Sequence, residues 1–225
     1  MKYIPKINKK LYFLFRTNGK LLFLTYCLFV FLITYVTNNF ILTDSVYVSY
    51  LEQQYSFEKI TQITNFIDKW KWMSYVLSPL LYTIKFFVLS ICILIGIMLS
   101  DLKISFNKVF KIVLVSEIVF LLAIVFKTIY FLFINTSFTI EESQTYYPLS
   151  LINYFDSTKL EVWLKYPLQL VNLFELTYIL LISSGLSIAL RLNYRKSLSI
   201  VSLSYLTGLL IWVVFITFLT VNFGA

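Results

Sequence analysis

Histidine is absent from the 225 residues. That removes Ser-His-Asp triads, H-E-x-x-H zinc sites and His-ligated haem together. There are two cysteines, Cys27 and Cys92, each inside an apolar run. They read as buried free thiols, not a disulfide framework. Charge is scarce as well: Asp, Glu, Lys and Arg make up 13% of the chain. With five glycines and four prolines, there are few of the broken-helix signals that many transporters carry. G-x-S-x-G, G-x-x-x-x-G-K-[ST] and C-x-x-C are all missing, so no catalytic, cofactor-binding or metal-binding residue is assigned. The sequence therefore reads as that of a non-enzymatic protein without a cofactor. The "NTS" at 135–137 matches the glycosylation pattern, a match that chance often supplies.

What is present is apolar. Hydrophobic residues make up 59% of the chain, and the mean hydropathy is +0.81. A soluble domain of this length cannot bury that much apolar surface and keep a polar exterior. Lipid must be the solvent for much of it. There is room for five spans of roughly 20 residues each and for no separate soluble domain. The expected fold is all-α: a single integral membrane domain over 1–225, a polytopic bundle of five transmembrane helices with short amphipathic outer helices. The spans are placed at 21–42, 74–100, 109–134, 167–190 and 198–222. A signal peptide competes for the first run, but the run is too long for an h-region and no A-x-A-like site follows.

Two segments between spans carry their own pattern. In "SFEKITQITNFIDKWKW", Phe57, Ile60, Ile63, Ile67 and Trp70 recur at helical spacing, with Glu58, Lys59, Asp68 and Lys69 between them. The pattern fits a helix lying on the membrane surface, with Trp70 and Trp72 at headgroup level, or one packed on the protein itself. "TKLE" at 158–161 fits a capping box, with Thr158 as N-cap and Glu161 three residues on. It predicts a short helix that carries Trp163 toward the interface.

The net charge of +8 would suggest nucleic acid in a soluble protein. Here it suggests basic loops facing the cytoplasm and anionic headgroups, with membrane lipid as partner and no nucleic acid. Six Lys/Arg lie in the first twenty residues, three in 101–111 and three in 191–196, against Asp101 alone. The opposite loops hold five lysines against eight acidic residues. The positive-inside rule then puts the N-terminus in the cytoplasm and the C-terminus outside, with a bacterial inner membrane as the expected location.

Four ionisable residues fall within spans: Lys85, Glu117, Lys127 and Glu175. Such residues are costly in hydrocarbon, and they mark either structural pairs or functional sites. Counting about 1.5 Å per residue from the outer end of each span, Lys127 lies about 10 Å deep and Glu175 about 12 Å. Their matched depth and opposite charge predict that they pair. Lys85, about 16 Å deep, is the second candidate partner. Glu117 has no partner at its level, so it is the better candidate for a functional carboxylate. Small residues four apart, Gly185 with Ala189 and Ser204 with Gly208, predict close packing of span four on span five.

From residue 74 to 222 the order of elements resembles the Yip family, the Ypt-interacting proteins. "DLKISFNKVFKIVLVSE" is similar to that family's turn before its third span. "WLKYPLQLVNLFELTYILLISSGLSIALRLNYRKSLSIVSLSYLTGLL" is the closer match, through Trp163, Leu164, Asn172, Phe174, Gly185, Arg195, Lys196 and Ser197. The resemblance implies a five-span, non-enzymatic membrane protein, linked in eukaryotes to vesicle traffic. Two functions follow as expectations. One is an accessory or scaffold subunit that binds another membrane protein or complex through its spans and outer helices. The other is a solute or ion conduit that uses the intramembrane charges.

Overall fold

The computed structural model describes Phe15 and residues 17–52, 55–156 and 159–223. Helices dominate, and five of them are long and apolar enough to cross a membrane. In hydrocarbon every backbone polar group must find a partner within the protein, and a helix supplies one for each interior residue. The all-α membrane fold follows.

The first span is α1 (Gly19–Val36), continued by a π-helical turn to Ile41. Asn18 caps it, its side chain accepting from Lys20 N at 3.1 Å. A short helix α2 (Asp44–Leu51) follows and packs against the next element. That element, α3, is one unbroken helix from Phe57 to Leu99. It corrects the sequence reading, which divided this stretch into a surface helix and a span beginning at 74. The 57–72 segment is helical, but it continues directly into the span. The polarity changes near Trp72, yet no glycine, cap or proline stops the backbone there. Pro79 lies farther on and is tolerated. At about 1.5 Å per residue, the 43 residues reach about 65 Å, twice the hydrocarbon thickness.

The third span is the most buried of the five. It consists of α4 (Phe106–Ser116) and α5 (Ile118–Ile129), followed by a π-helical turn to Ile134. Glu117 stands at the joint, with φ −61° and ψ −14°. Its carbonyl accepts from Phe120 N at 3.0 Å and from Leu121 N at 3.2 Å, so the helix tightens by one 3₁₀ turn at the carboxylate. The loop that follows holds α6 (Ile140–Thr145). Its N-terminus has a capping box between Thr139 and Glu142. The same T-x-x-E spacing that the sequence shows at 158–161 thus caps a helix at Thr139. Thr158 lies outside the described residues, and α7 (Val162–Leu170) has Glu161 at its N-cap, not its third position.

The predicted fourth span is also divided. Its membrane helix, α8, runs only from Leu173 to Leu190. The chain breaks at Val171 and Asn172, where residues 149–151 pair with it. Leu151 N donates to Val171 O at 2.9 Å, and Leu173 N donates to Leu149 O at 3.3 Å. The last span is α9 (Tyr194–Phe223), which packs on α8 and α3.

Small residues set the closest approach, though between other helices than expected. A Cβ on Gly96 would stand 1.7 Å from Ser204 Oγ, and one on Gly208 would stand 3.1 Å from Cys92 Sγ. Ser204 and Gly208 therefore hold α9 against α3. A Cβ on Gly185 would meet Ile112 of α4 at 2.7 Å, while Ala189 is exposed. Span four does pack on span five, but these two residues do not make that contact. Small-residue spacing reveals a face, whereas the tertiary arrangement chooses the partner.

Candidate functional site

The buried charges meet in the middle of the bundle. Lys85 of α3 pairs with Glu117 at the α4–α5 joint, Nζ to Oε1 2.5 Å. Glu117 is wholly buried, whereas the Lys85 side chain keeps 37% of its surface exposed. The ammonium also lies 4.2 Å from the centre of the Phe120 ring and 5.9 Å from that of Tyr82, where ring quadrupoles favour a cation. This overturns the expectation that Glu117 lacked a partner. Its second oxygen, Oε2, is buried without a hydrogen bond of normal geometry among the described residues, as are the hydroxyls of Tyr26 and Tyr178, although the Tyr178 hydroxyl lies near enough to Glu117 to interact with it. Both tyrosines lie within electrostatic range of Glu117. Two tyrosine hydroxyls and one carboxylate oxygen thus stand together without full hydrogen bonding, an arrangement that costs free energy wherever it occurs.

Glu175 does not pair with Lys127. Its Oε2 accepts from Tyr205 OH of α9 at 2.5 Å. The two residues do lie at a similar depth, since the rings of their neighbours Phe126 and Phe174 approach to 6.3 Å. But Lys127 and Glu175 each lie one residue farther along, about 100° around the helix. Depth matched and azimuth did not. Among the described residues Lys127 has no ion-pair partner.

The position of Glu175 has a local cause. It is the third residue of α8, and its N–H donates to the side chain of Asn172 at 2.8 Å. A carboxylate in the first turn of a helix is favoured by the unsatisfied N–H groups and the macrodipole. The N-x-x-E spacing of Asn172 and Glu175 announces this helix start. Polar side chains then satisfy the broken backbone. Ser150 Oγ donates to Leu168 O at 2.9 Å and Gln169 O at 3.0 Å, and Asn172 Nδ2 donates to Gln169 O at 2.8 Å. The Gln169 amide reaches Gln144 O at 2.9 Å and Thr145 O at 2.8 Å.

Aromatic rings link the two carboxylates. Tyr205 meets Tyr178 edge-on at 5.5 Å, and Tyr178 lies 4.8 Å from Phe120, the ring beneath Lys85. The path Glu175–Tyr205–Tyr178–Glu117–Lys85 therefore crosses four helices. Above it, Tyr147 packs edge-on against Phe174 at 6.3 Å. Burial, with Glu175 close by, pushes its hydroxyl well above the usual tyrosine range. Glu175 and Tyr205 also line an apolar groove of about 640 Å³ between the 149–154 loop, α8 and α9.

The sequence reading did not find Tyr26, Tyr178 and Tyr205. The chain has 17 tyrosines, so no one of them stands out. Tyr178 alone offered a signal, three residues from Glu175 and so on its helix face. The predicted anchors lie at the surface. Trp70 and Trp72 stack at 6.4 Å, and Trp163 is exposed. A fourth tryptophan, Trp212, donates to Tyr166 OH at 2.8 Å and ties α9 to α7. Compared with known proteins, the chain matches no family model, no curated protein and no solved structure.

Proposed function

We propose that the protein is a transport component, a conduit in which the Lys85–Glu117 and Glu175–Tyr205 pairs form the coupling site. One observation carries this reading. Both carboxylates sit at irregular points of a membrane helix, Glu117 at the tightened turn between α4 and α5 and Glu175 at the start of α8 after the break at Asn172. Discontinuous helices with charges at their ends are how many transporters build a midplane site, and interrupted backbone is tolerated only inside protein or along a cavity. Lys85 pairs with Glu117, whereas Glu175 is met by the neutral hydroxyl of Tyr205, so the site has an acceptor to spare for a proton or cation.

The test is flux into liposomes of purified protein loaded with a pH-sensitive dye, under an imposed potential. Proton uptake that is abolished in Glu117→Gln is expected. Uptake equal in wild type and variant would refute the reading. We propose the orientation that the basic loops imply, with the N-terminus cytoplasmic in a bacterial inner membrane; a reporter fused after Ala225 should then behave as extracytoplasmic.

The second reading is a non-enzymatic scaffold subunit. It is favoured by the 57–72 part of α3, which precedes the span and exposes Phe57, Phe66, Trp70 and Trp72. It also draws on the resemblance to the Yip family. It expects co-purification with a larger assembly in mild detergent, lost on Phe57→Asp with Phe66→Asp.

A further inference from the structure

The groove beside Glu175 carries chemistry of its own. It is lined by Leu170, Leu176, Leu206, Leu210 and Val214, among other apolar side chains. At about 640 Å³ it falls within the roughly 300–1,000 Å³ of ordinary ligand sites. Among the described residues that line it, Glu175 is the one charged residue, and none is a lysine or arginine. Glu175 Oε2 is engaged by Tyr205. Glu175 lines the groove, and its Oε1 makes no hydrogen bond or ion pair among the described residues.

We infer that this groove binds a single-chain amphiphile with a cationic, hydrogen-bond-donating head, such as a long-chain amine. The chain would lie along the leucines of α8 and α9, and the ammonium would donate to Glu175 Oε1. Anionic heads are disfavoured, because a carboxylate or phosphate would face Glu175 with no cation beside it. A neutral hydroxyl head could donate to the carboxylate but would lack the ion-pair attraction that an ammonium adds to the same bond. The inference rests on the transport reading for its purpose and names the class of solute, but binding is measurable without flux.

The experiment is binding of dodecylamine, dodecanol and laurate to the full chain in nanodiscs, followed by competition with a fluorescent alkylamine. The amine should bind about tenfold or more tighter than the alcohol, and laurate should not compete. In Glu175→Gln, which retains an oxygen for Tyr205 to bond, the amine should fall to the affinity of the alcohol. Leu206→Trp should weaken amine and alcohol alike by filling the groove. Laurate binding as well as the amine, or an amine affinity unchanged in Glu175→Gln, would overturn the inference. If Glu175→Gln fails to fold, the wild-type ranking and Leu206→Trp still decide. Amine binding that survives in Glu117→Gln while flux is lost keeps both proposals. Amine binding without any wild-type flux removes only the transport reading.

Discussion

Lys85→Met and Glu117→Gln should damage the protein unequally, and the structure gives the order. Removing the lysine leaves Glu117 wholly buried, with a second oxygen already short of a normal hydrogen bond among the described residues. Breaking a buried pair from one side costs about 3–5 kcal/mol. Removing the carboxylate leaves Lys85, whose side chain is 37% exposed and can swing its ammonium outward. At this depth the exposed part of Lys85 faces lipid, so the discount comes from the freedom of its long stem to snorkel toward the headgroups, which brings the loss to about 1–2 kcal/mol. The double variant leaves no charge stranded, so it should be less damaging than Lys85→Met alone. The coupling between the two sites should then be about 1–3 kcal/mol. The assay is reversible unfolding of each variant in the same detergent micelle. The reasoning is refuted if Glu117→Gln proves the more damaging single change. Additivity within about 0.5 kcal/mol would refute it equally.

The length of α3 can be measured by spin labels at Gln62 and Val88. A continuous helix separates them by about 39 Å, whereas a right-angle bend near residue 73 would bring them to about 28 Å. Gly96→Ala should cost about 1–3 kcal/mol by overpacking, because its Cβ would overlap Ser204, whose hydroxyl is held by Ile200 O at 2.6 Å. Adding Ser204→Gly should recover part of the loss of melting temperature, and a neutral Gly96→Ala would show that the α3–α9 contact is loose. Tyr147 should give an alkaline transition. With its native pKa raised by burial, its contribution to stability is fully present below the unfolded value of about 10 and is lost as pH rises through the higher native value. Tyrosinate absorbance should track that loss, and Tyr147→Phe should remove it.

The five-span architecture was legible because apolar length alone decides what can cross a bilayer. The errors concern what happens at the ends of those lengths. Hydropathy does not register a helix that continues past the polar boundary, so α3 was cut at 74 although nothing in "DKWKWMS" stops a helix. Nor does hydropathy register one that begins late, and the fourth span was begun at Pro167 although Asn172 caps it. In both places capping chemistry, present or absent, was the better guide. T-x-x-E at Thr139 and N-x-x-E at Asn172 mark real helix starts.

The charge pairs show what one-dimensional reasoning supplies and what it omits. Depth along a helix axis is one coordinate, and it brought Lys127 and Glu175 to the same level correctly enough for their neighbours Phe126 and Phe174 to touch. Pairing also needs the angle around the axis, which turns by about 100° per residue. That angle depends on which face a helix buries. For α4 and α5 the residues from Ile112 to Phe120 are buried except Ile118, so burial wraps most of the helix and leaves no single apolar stripe to orient it. A span with apolar residues all round gives the sequence reader no azimuth, and its one charged residue is then the best available marker. Glu117 is wholly buried, so the face that carries it points inward, and Lys85 is the cation that reaches it.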